Sequence, residues 1–283
     1  MYQYFSILLT TTFVLITTGQ SLNASLGTSQ RQIFNDRSVA SSTAEDYYNR
    51  GKAKADRGEY TEAIEDYNRA LKLNPKYADA YNYKGVAFYF LGDYEEAVKN
   101  YNQAIHFDPR SYKAYNNRGI ILNDQQEYLR AINDYNQAIR INPKYVHAYQ
   151  NRGVAFSKIG NYDKAINDYD RAIALDPKDP KSYFNKGFLY DSLKDCDRAL
   201  KYYTQSLTAN PNYLSARFNR GYVYWRLKNY QGAKEDFKIA AALFKQGGNT
   251  PMYNRAMVNI TQVEAKNSPP CSCDKSRATC EHP

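Results

Sequence analysis

Glycine, alanine and proline return in this chain at a fixed spacing of 34 residues, and that recurrence limits its fold more than any other feature. Counted from Ala44, position 8 is glycine in six successive periods: Gly51, Gly85, Gly119, Gly153, Gly187 and Gly221. Position 20 is alanine in the same six: Ala63, Ala97, Ala131, Ala165, Ala199 and Ala233. Position 32 is proline in five (Pro75, Pro109, Pro143, Pro177, Pro211), each preceded by Asn or Asp. A period of this length has room for two short helices. Gly58, Gly92 and Gly160, near position 15, suit the turn between them, and Asn-Pro or Asp-Pro ends the second. Small residues at positions 8, 20 and 27 let the two helices approach closely. Such a unit cannot bury its apolar face alone, so its copies must stack.

The periods run 44–77, 78–111, 112–145, 146–179, 180–213 and a degenerate 214–247. They account for the excess of tyrosine, 29 residues in 283. Most fall at positions 4, 17, 24 and 34, among them Tyr47, Tyr81, Tyr94, Tyr101, Tyr128, Tyr135 and Tyr169, as packing residues whose hydroxyls still find a partner. The sequence over 251–265 reads as an amphipathic helix opened by Pro251, with Met252, Met257, Ile260 and Val263 covering the end of the sixth repeat. Hydrophobic residues at 43% and charged residues at 24% exclude wholesale disorder, and a mean hydropathy of −0.75 excludes a polytopic membrane protein.

The pattern resembles the tetratricopeptide repeat family, which places an aromatic at position 4, Gly at 8, Ala at 20, an aromatic at 24, Ala at 27 and Pro at 32. The segments YNYKGVAFYFLGDYEEAVKNYNQAIHFDP and YQNRGVAFSKIGNYDKAINDYDRAIALDP fit it closely. Arg217 in place of the aromatic and Lys245 in place of the proline mark the sixth repeat as terminal. The resemblance implies an all-α, right-handed α-solenoid of tandem helix-turn-helix repeats over 44–247, with a capping helix at 248–266. It further implies a concave groove, lined by the first helix of each repeat, where extended peptides bind.

A helix turns about 100° per residue, so positions 2, 5, 6, 9, 12 and 13 fall opposite the packed side of the first helix. Position 6 is Asn49, Asn117, Asn151, Asn185 and Asn219, with Tyr83 the exception. Asparagine has two donors and an acceptor, so a row of them can pair with a peptide backbone of any sequence. It is similar to the asparagine ladder of the O-linked N-acetylglucosamine transferase superhelix; the same residues can equally tie neighbouring repeats together. Around the row stand the aromatics Tyr89, Phe184 and Trp225, with Tyr48, Phe90 and Phe218, and the cations Lys113, Lys158, Lys181 and Arg226. The family's carboxylate clamp for chaperone C-termini has no matching window. The expected function is a non-enzymatic scaffold for a protein or peptide partner, with no cofactor. The alternative is an assembly subunit docking its basic end on an anionic surface.

The formal charge of +9 collects in the sixth repeat, where Arg217, Arg220, Arg226, Lys228, Lys234, Lys238 and Lys245 outnumber Glu235 and Asp236. Position 7 is basic throughout, but it covaries with position 23. Arginine at 7 (Arg50, Arg118, Arg152, Arg220) meets aspartate at 23 (Asp66, Asp134, Asp168, Asp236), whereas Lys84 and Lys186 meet Asn100 and Tyr202. A guanidinium matches a carboxylate in two parallel bonds and an ammonium does not, so the covariation predicts helix-to-helix ion pairs rather than a stripe for nucleic acid.

Residues 1–24 have the apolar run and small-residue cleavage region of a secretory signal peptide, which predicts an extracytoplasmic (periplasmic or secreted) protein; a buried N-terminal helix, for which no polar face appears at helical spacing, and an uncleaved membrane anchor are the other options. Residues 25–43 read as a flexible linker and 267–283 as a disordered tail. The tail holds Cys271, Cys273, Cys280 and His282, faintly similar to a zinc-binding C-x-C-x8-C-H/C motif but with two departures in spacing. A metal site, a disulfide within the tail or between molecules, and a plain tail all remain open there. Cys196 takes the position-17 place of a tyrosine and is expected in the core.

Overall fold

The computed structural model describes residues 42–266, and the signal-peptide reading, most of the linker and the whole cysteine tail lie outside them. Among the described residues every element is a helix: α1 (Ala44–Asp56), α2 (Tyr60–Leu73), α3 (Ala78–Phe90), α4 (Tyr94–Phe107), α5 (Tyr112–Asp124), α6 (Tyr128–Ile141), α7 (Val146–Lys158), α8 (Tyr162–Leu175), α9 (Pro180–Ser192), α10 (Cys196–Ala209), α11 (Leu214–Arg226), α12 (Tyr230–Gln246) and α13 (Thr250–Glu264). The chain divides between Asp93 and Tyr94 into two compact units, α1–α3 and α4–α13. None of these helices is long and apolar enough to cross a membrane.

The start of the array is fixed by a capping box. The Thr43 hydroxyl accepts from the Asp46 amide at 3.1 Å and the Asp46 carboxylate accepts from the Thr43 amide at 2.8 Å. The first five repeats are each closed by the Asx-Pro pair. The residue before the proline is extended, as a following proline demands, and its side-chain oxygen accepts the backbone N–H two residues on. Asn74 holds Lys76 at 3.1 Å, Asp108 holds Arg110 at 2.9 Å and Asp176 holds Lys178 at 3.1 Å. Within a hairpin the turn is a single left-handed residue at position 15. Glycine takes it at Gly58, Gly92 and Gly160, as the sequence suggests; in the other three repeats Gln126, Lys194 and Lys228 adopt it with φ of 64°, 62° and 58°.

Packing inside a hairpin depends on position 8 having no side chain. A Cβ on Gly153 would stand 2.6 Å from the Tyr169 ring, and one on Gly119 the same distance from Tyr135. Both rings are buried, against alanines that are fully buried at positions 20 and 27. The position-4 tyrosine is tied to the repeat before it: Tyr149 donates to the Pro143 carbonyl at 3.2 Å. Arg217, the departure in the sixth repeat, makes the same link, its guanidinium donating to the Pro211 carbonyl at 2.5 Å and reaching Asp236 at 3.3 Å.

All four expected Arg–Asp pairs are present and bidentate. Arg118 Nε and Nη2 donate to Asp134 at 2.8 and 2.6 Å, Arg152 to Asp168 at 2.8 and 2.6 Å, and Arg220 to Asp236 at 2.8 and 2.9 Å. Arg50 Nε donates to Asp66 at 2.7 Å. The third guanidinium nitrogen reaches the preceding repeat: Arg118 to Asn102 at 2.7 Å, Arg152 to Asn136 at 2.6 Å, Arg220 to Thr204 at 3.2 Å. Each of these three arginines therefore joins two helices of its own repeat to the last helix of the one before. Lys186, with Tyr202 opposite, pairs with Asp170 of the preceding repeat and lies 4.6 Å over the Tyr202 ring.

The terminal core lies under α13. Phe218, Trp225, Phe237 and Phe244 pack with Ala256, Ile260 and Val263. The capping helix was expected, but its buried face is Ala256, Asn259, Ile260 and Val263. Met257 points away and is 42% exposed, because it falls off the i, i+3, i+4 stripe those residues form.

Candidate functional site

In the second unit the first helices α5, α7, α9 and α11 lie side by side, each touching the next, and bring positions 5, 6 and 9 into one face. Position 5 is consumed by the stacking. Asn116 accepts from the Asn151 amide of the next repeat at 3.0 Å, and Gln150, fully buried, donates to the Ser182 hydroxyl at 2.7 Å. Phe184 is half-buried against Tyr203 and Tyr213, at 5.9 and 5.6 Å between ring centres.

The position-6 asparagines differ in their surroundings. Asn151 ties α7 to α5, and Asn219 hydrogen bonds to the Tyr203 hydroxyl of the repeat before it. Asn185 has its amide nitrogen buried without a hydrogen-bond partner in the protein, and Asn117 is partly exposed. In the first unit Asn49 is exposed and Tyr89 half-buried with its ring edge on Phe90. Lys113, Lys158 and Lys181 are exposed on α5, α7 and α9.

Two of the expected groove residues are elsewhere. Trp225 is fully buried in the terminal core. Arg226 has 5% of its side chain exposed and forms a buried ion pair with Asp191, which also accepts from the Tyr203 hydroxyl at 3.3 Å. Positions 12 and 13 lie on the open side of an isolated helix, but here neighbouring helices cover them. Phe218, at position 5, is likewise core. A residue left out of the expected set stands in that face: Phe188, at position 9 and one turn after Asn185, is 40% exposed. Position 9 is Val, Ile or Tyr in neighbouring repeats, so the sequence offers no signal separating an exposed ring from a buried one.

The basic end is less basic than it reads. Arg217 and Arg220 share Asp236, Arg226 is paired with Asp191, and Lys234 meets Glu264 of α13 at 2.6 Å. Burial of the ion pairs sets the carboxylates apart. For Asp66, burial pushes the carboxyl up, but hydrogen bonds from Arg50 and Lys54 outweigh it and hold the group at about 2. Asp168 has Arg152 as its cation, and burial wins there, raising the carboxyl above its ordinary value.

Comparison with known families decides what this face belongs to. Models described as TPR repeat match residues 51–92 and 120–160, and models described as tetratricopeptide repeat match 78–111, 146–179 and 184–248. The chain belongs to the tetratricopeptide repeat family. Among solved tetratricopeptide structures, a MamA protein is 26% identical with a TM-score of 0.51, covering 59% of this chain and 92% of that one. PilF of Pseudomonas aeruginosa is 18% identical with a TM-score of 0.63, covering 76% and 96%. PilW, titled a widely conserved type IV pilus biogenesis factor, is 18% identical with a TM-score of 0.67, covering 76% and 98%. At 18% identity the likeness is one of fold. Curated proteins provide no match.

Proposed function

We propose that this tetratricopeptide protein is a non-enzymatic scaffold that holds an extended segment of a partner protein against the first-helix face of its repeats, in an extracytoplasmic compartment. The observation that carries the reading is Phe188 on α9, whose 40% exposed ring offers an anchor to an apolar side chain of the partner. Lys181 on the same helix, with Lys158 and Lys113 on its neighbours, surrounds it with positive charge that favours a segment bearing carboxylates. The assembly-subunit reading rests on the basic last repeat, and there Asp191 and Glu264, carboxylates from outside the repeat, offset two of its charges by pairing with Arg226 and Lys234.

The test is selection of a random peptide display library on the purified protein. Enriched sequences are expected to be acidic and to carry an apolar anchor. Phe188→Ala should weaken their binding by about 10-fold or more, the range of an interface anchor worth over 1 kcal/mol, with the melting temperature little changed. Leu129→Ala, on the second-helix face where Leu129 is 70% exposed, should leave binding intact. Peptides that depend on Leu129 and ignore Phe188 would move the function to the other face.

A further inference from the structure

Among the described residues of repeats four to six, five large apolar side chains are exposed: Ile159, Tyr162, Phe188, Leu227 and Ile239. Three of them, Ile159, Tyr162 and Leu227, fall at positions 14 to 17, the turn between the two helices of a hairpin. Four places in 34 thus hold three of the five, so the exposed apolar residues are concentrated rather than scattered. Each tip also carries a lysine beside its position-14 aliphatic: Lys158 next to Ile159, Lys194 next to Leu193 and Lys228 next to Leu227. We propose that this edge of the second unit is a docking surface for an anionic phospholipid membrane, with Ile159, Leu193 and Leu227 entering the interface and the lysines meeting the phosphates.

The tips share one edge because the repeats stack in the same orientation. α7, α9 and α11 touch in succession, and the last turns of two of them meet directly: Arg226 at the end of α11 is ion-paired to Asp191 at the end of α9. Touching helices lie about 10 Å apart, so the three tips span on the order of 20 Å. Ile159 and Leu227 are each 41% exposed, and Leu193 between them is half-buried. The first-helix face runs along the sides of these helices and the edge lies at their ends. A membrane on the edge therefore leaves Phe188 accessible.

The backbone and the charge supply the argument for this occupant. Position 15 requires a left-handed residue, which glycine supplies without strain at Gly160. Repeats five and six put lysine there instead, Lys194 with φ of 62° and Lys228 with φ of 58°, although a Cβ is disfavoured in that region. The strained place carries a charge that packing does not require. Over positions 13–19 of the three repeats Asp195 pairs with Arg198 at 2.6 Å and Arg226 with Asp191, so Lys158, Lys164, Lys194 and Lys228 are set against Asp163 and Asp197. A flat, layered partner fits the pattern. An aliphatic side chain finds hydrocarbon just below the phosphates, and the lysine beside it lays its stem along the apolar layer with the ammonium at phosphate level. None of the described helices is long and apolar enough to cross a membrane, so this edge would lie on the surface.

Brominated lipid reads the contact at single positions. Ile159→Trp and Leu227→Trp each place an indole on the edge, Val258→Trp places one on the outer face of α13, and the native Trp225, fully buried, contributes equally to all three. The full-length variants are mixed at low ionic strength with vesicles of equal parts phosphatidylglycerol and phosphatidylcholine, brominated on the acyl chains. Quenching of the two edge indoles is expected, with Val258→Trp unquenched and with no quenching by phosphatidylcholine alone. All variants share the N-terminal apolar run, so lipid contact made only there would quench none of them and would overturn the inference. Equal quenching of all three would overturn it as well. The charge is tested by adding Lys194→Gln and Lys228→Gln to Ile159→Trp, since glutamine takes the left-handed place at Gln126. A lysine at an anionic surface contributes about 5-fold in affinity, so the lipid needed for half-maximal quenching should rise by roughly 10- to 30-fold. An unchanged requirement would remove the anionic membrane as the occupant. So would a dimer seen by light scattering without vesicles and dissociated by Ile159→Ser, which would give the edge to a second copy of the chain.

Discussion

Asp66 is the residue at which the pH dependence of the first unit is set. Its side chain is fully buried, yet three cations surround it: Arg50 at 2.7 Å, Lys54 at 2.8 Å and Arg69 at 2.9 Å. A carboxyl depressed from 3.8 to about 2 stabilises the folded state fully above pH 4, and that contribution is lost as the pH falls from about 4 to about 2. Asp66→Asn should therefore weaken the protein at neutral pH and flatten its urea midpoint across that acid window. Asp168 runs the other way. With its carboxyl raised, the folded state holds its proton longer than the unfolded one, and stability falls as pH rises above 3.8 through the raised value. The pairing itself was legible in the sequence, because arginine and aspartate change together and lysine breaks the match. What the sequence withheld is this divergence, since both aspartates belong to the same motif and differ only in how many cations the neighbouring turns deliver.

At the scale of the element, the turn inside each hairpin shows both what repetition reveals and what it hides. Glycine at position 15 in three repeats announces a left-handed residue, and the phase alone places Gln126, Lys194 and Lys228 in the same conformation. The left-handed region costs a residue with a Cβ about 1 kcal/mol. Gln126→Gly should accordingly stabilise the second unit by up to about 1 kcal/mol in chemical denaturation, and Gly160→Gln should destabilise it by a similar amount. At Gly160 the added side chain meets open space, as nothing stands within 4 Å of a Cβ there. Helix faces were harder to read. A wheel drawn for one helix places Trp225 and Arg226 on its open side, but α13 closes over the first and α9 supplies a carboxylate to the second. Position numbering carries the contacts of a typical repeat, and the sixth repeat is the one with a different neighbour.

Over the whole molecule, the capping helix decides whether the last repeat is stable. α13 covers Phe244 and Phe218 with Ile260 and Val263, side chains worth about 1.5–3 kcal/mol each when buried. A chain stopped at Gly247 should lose about 3–6 kcal/mol in the second unit relative to one stopped at Lys266, read from urea titrations under reducing conditions. If the two curves coincide, the terminal core stands without its cover.

The spacing of the contacts has a consequence for the order in which this protein comes into being. The Arg–Asp pairs close over 16 residues, and the ties from one repeat to the next, and from the sixth repeat to its cap, over 6 to 37. Nothing in the opening repeats waits for a distant stretch of sequence, so the search for the native arrangement is short and fast. On the ribosome, or emerging from a membrane channel, the earliest hairpins have their partners within a few dozen residues and settle while the rest is still to come.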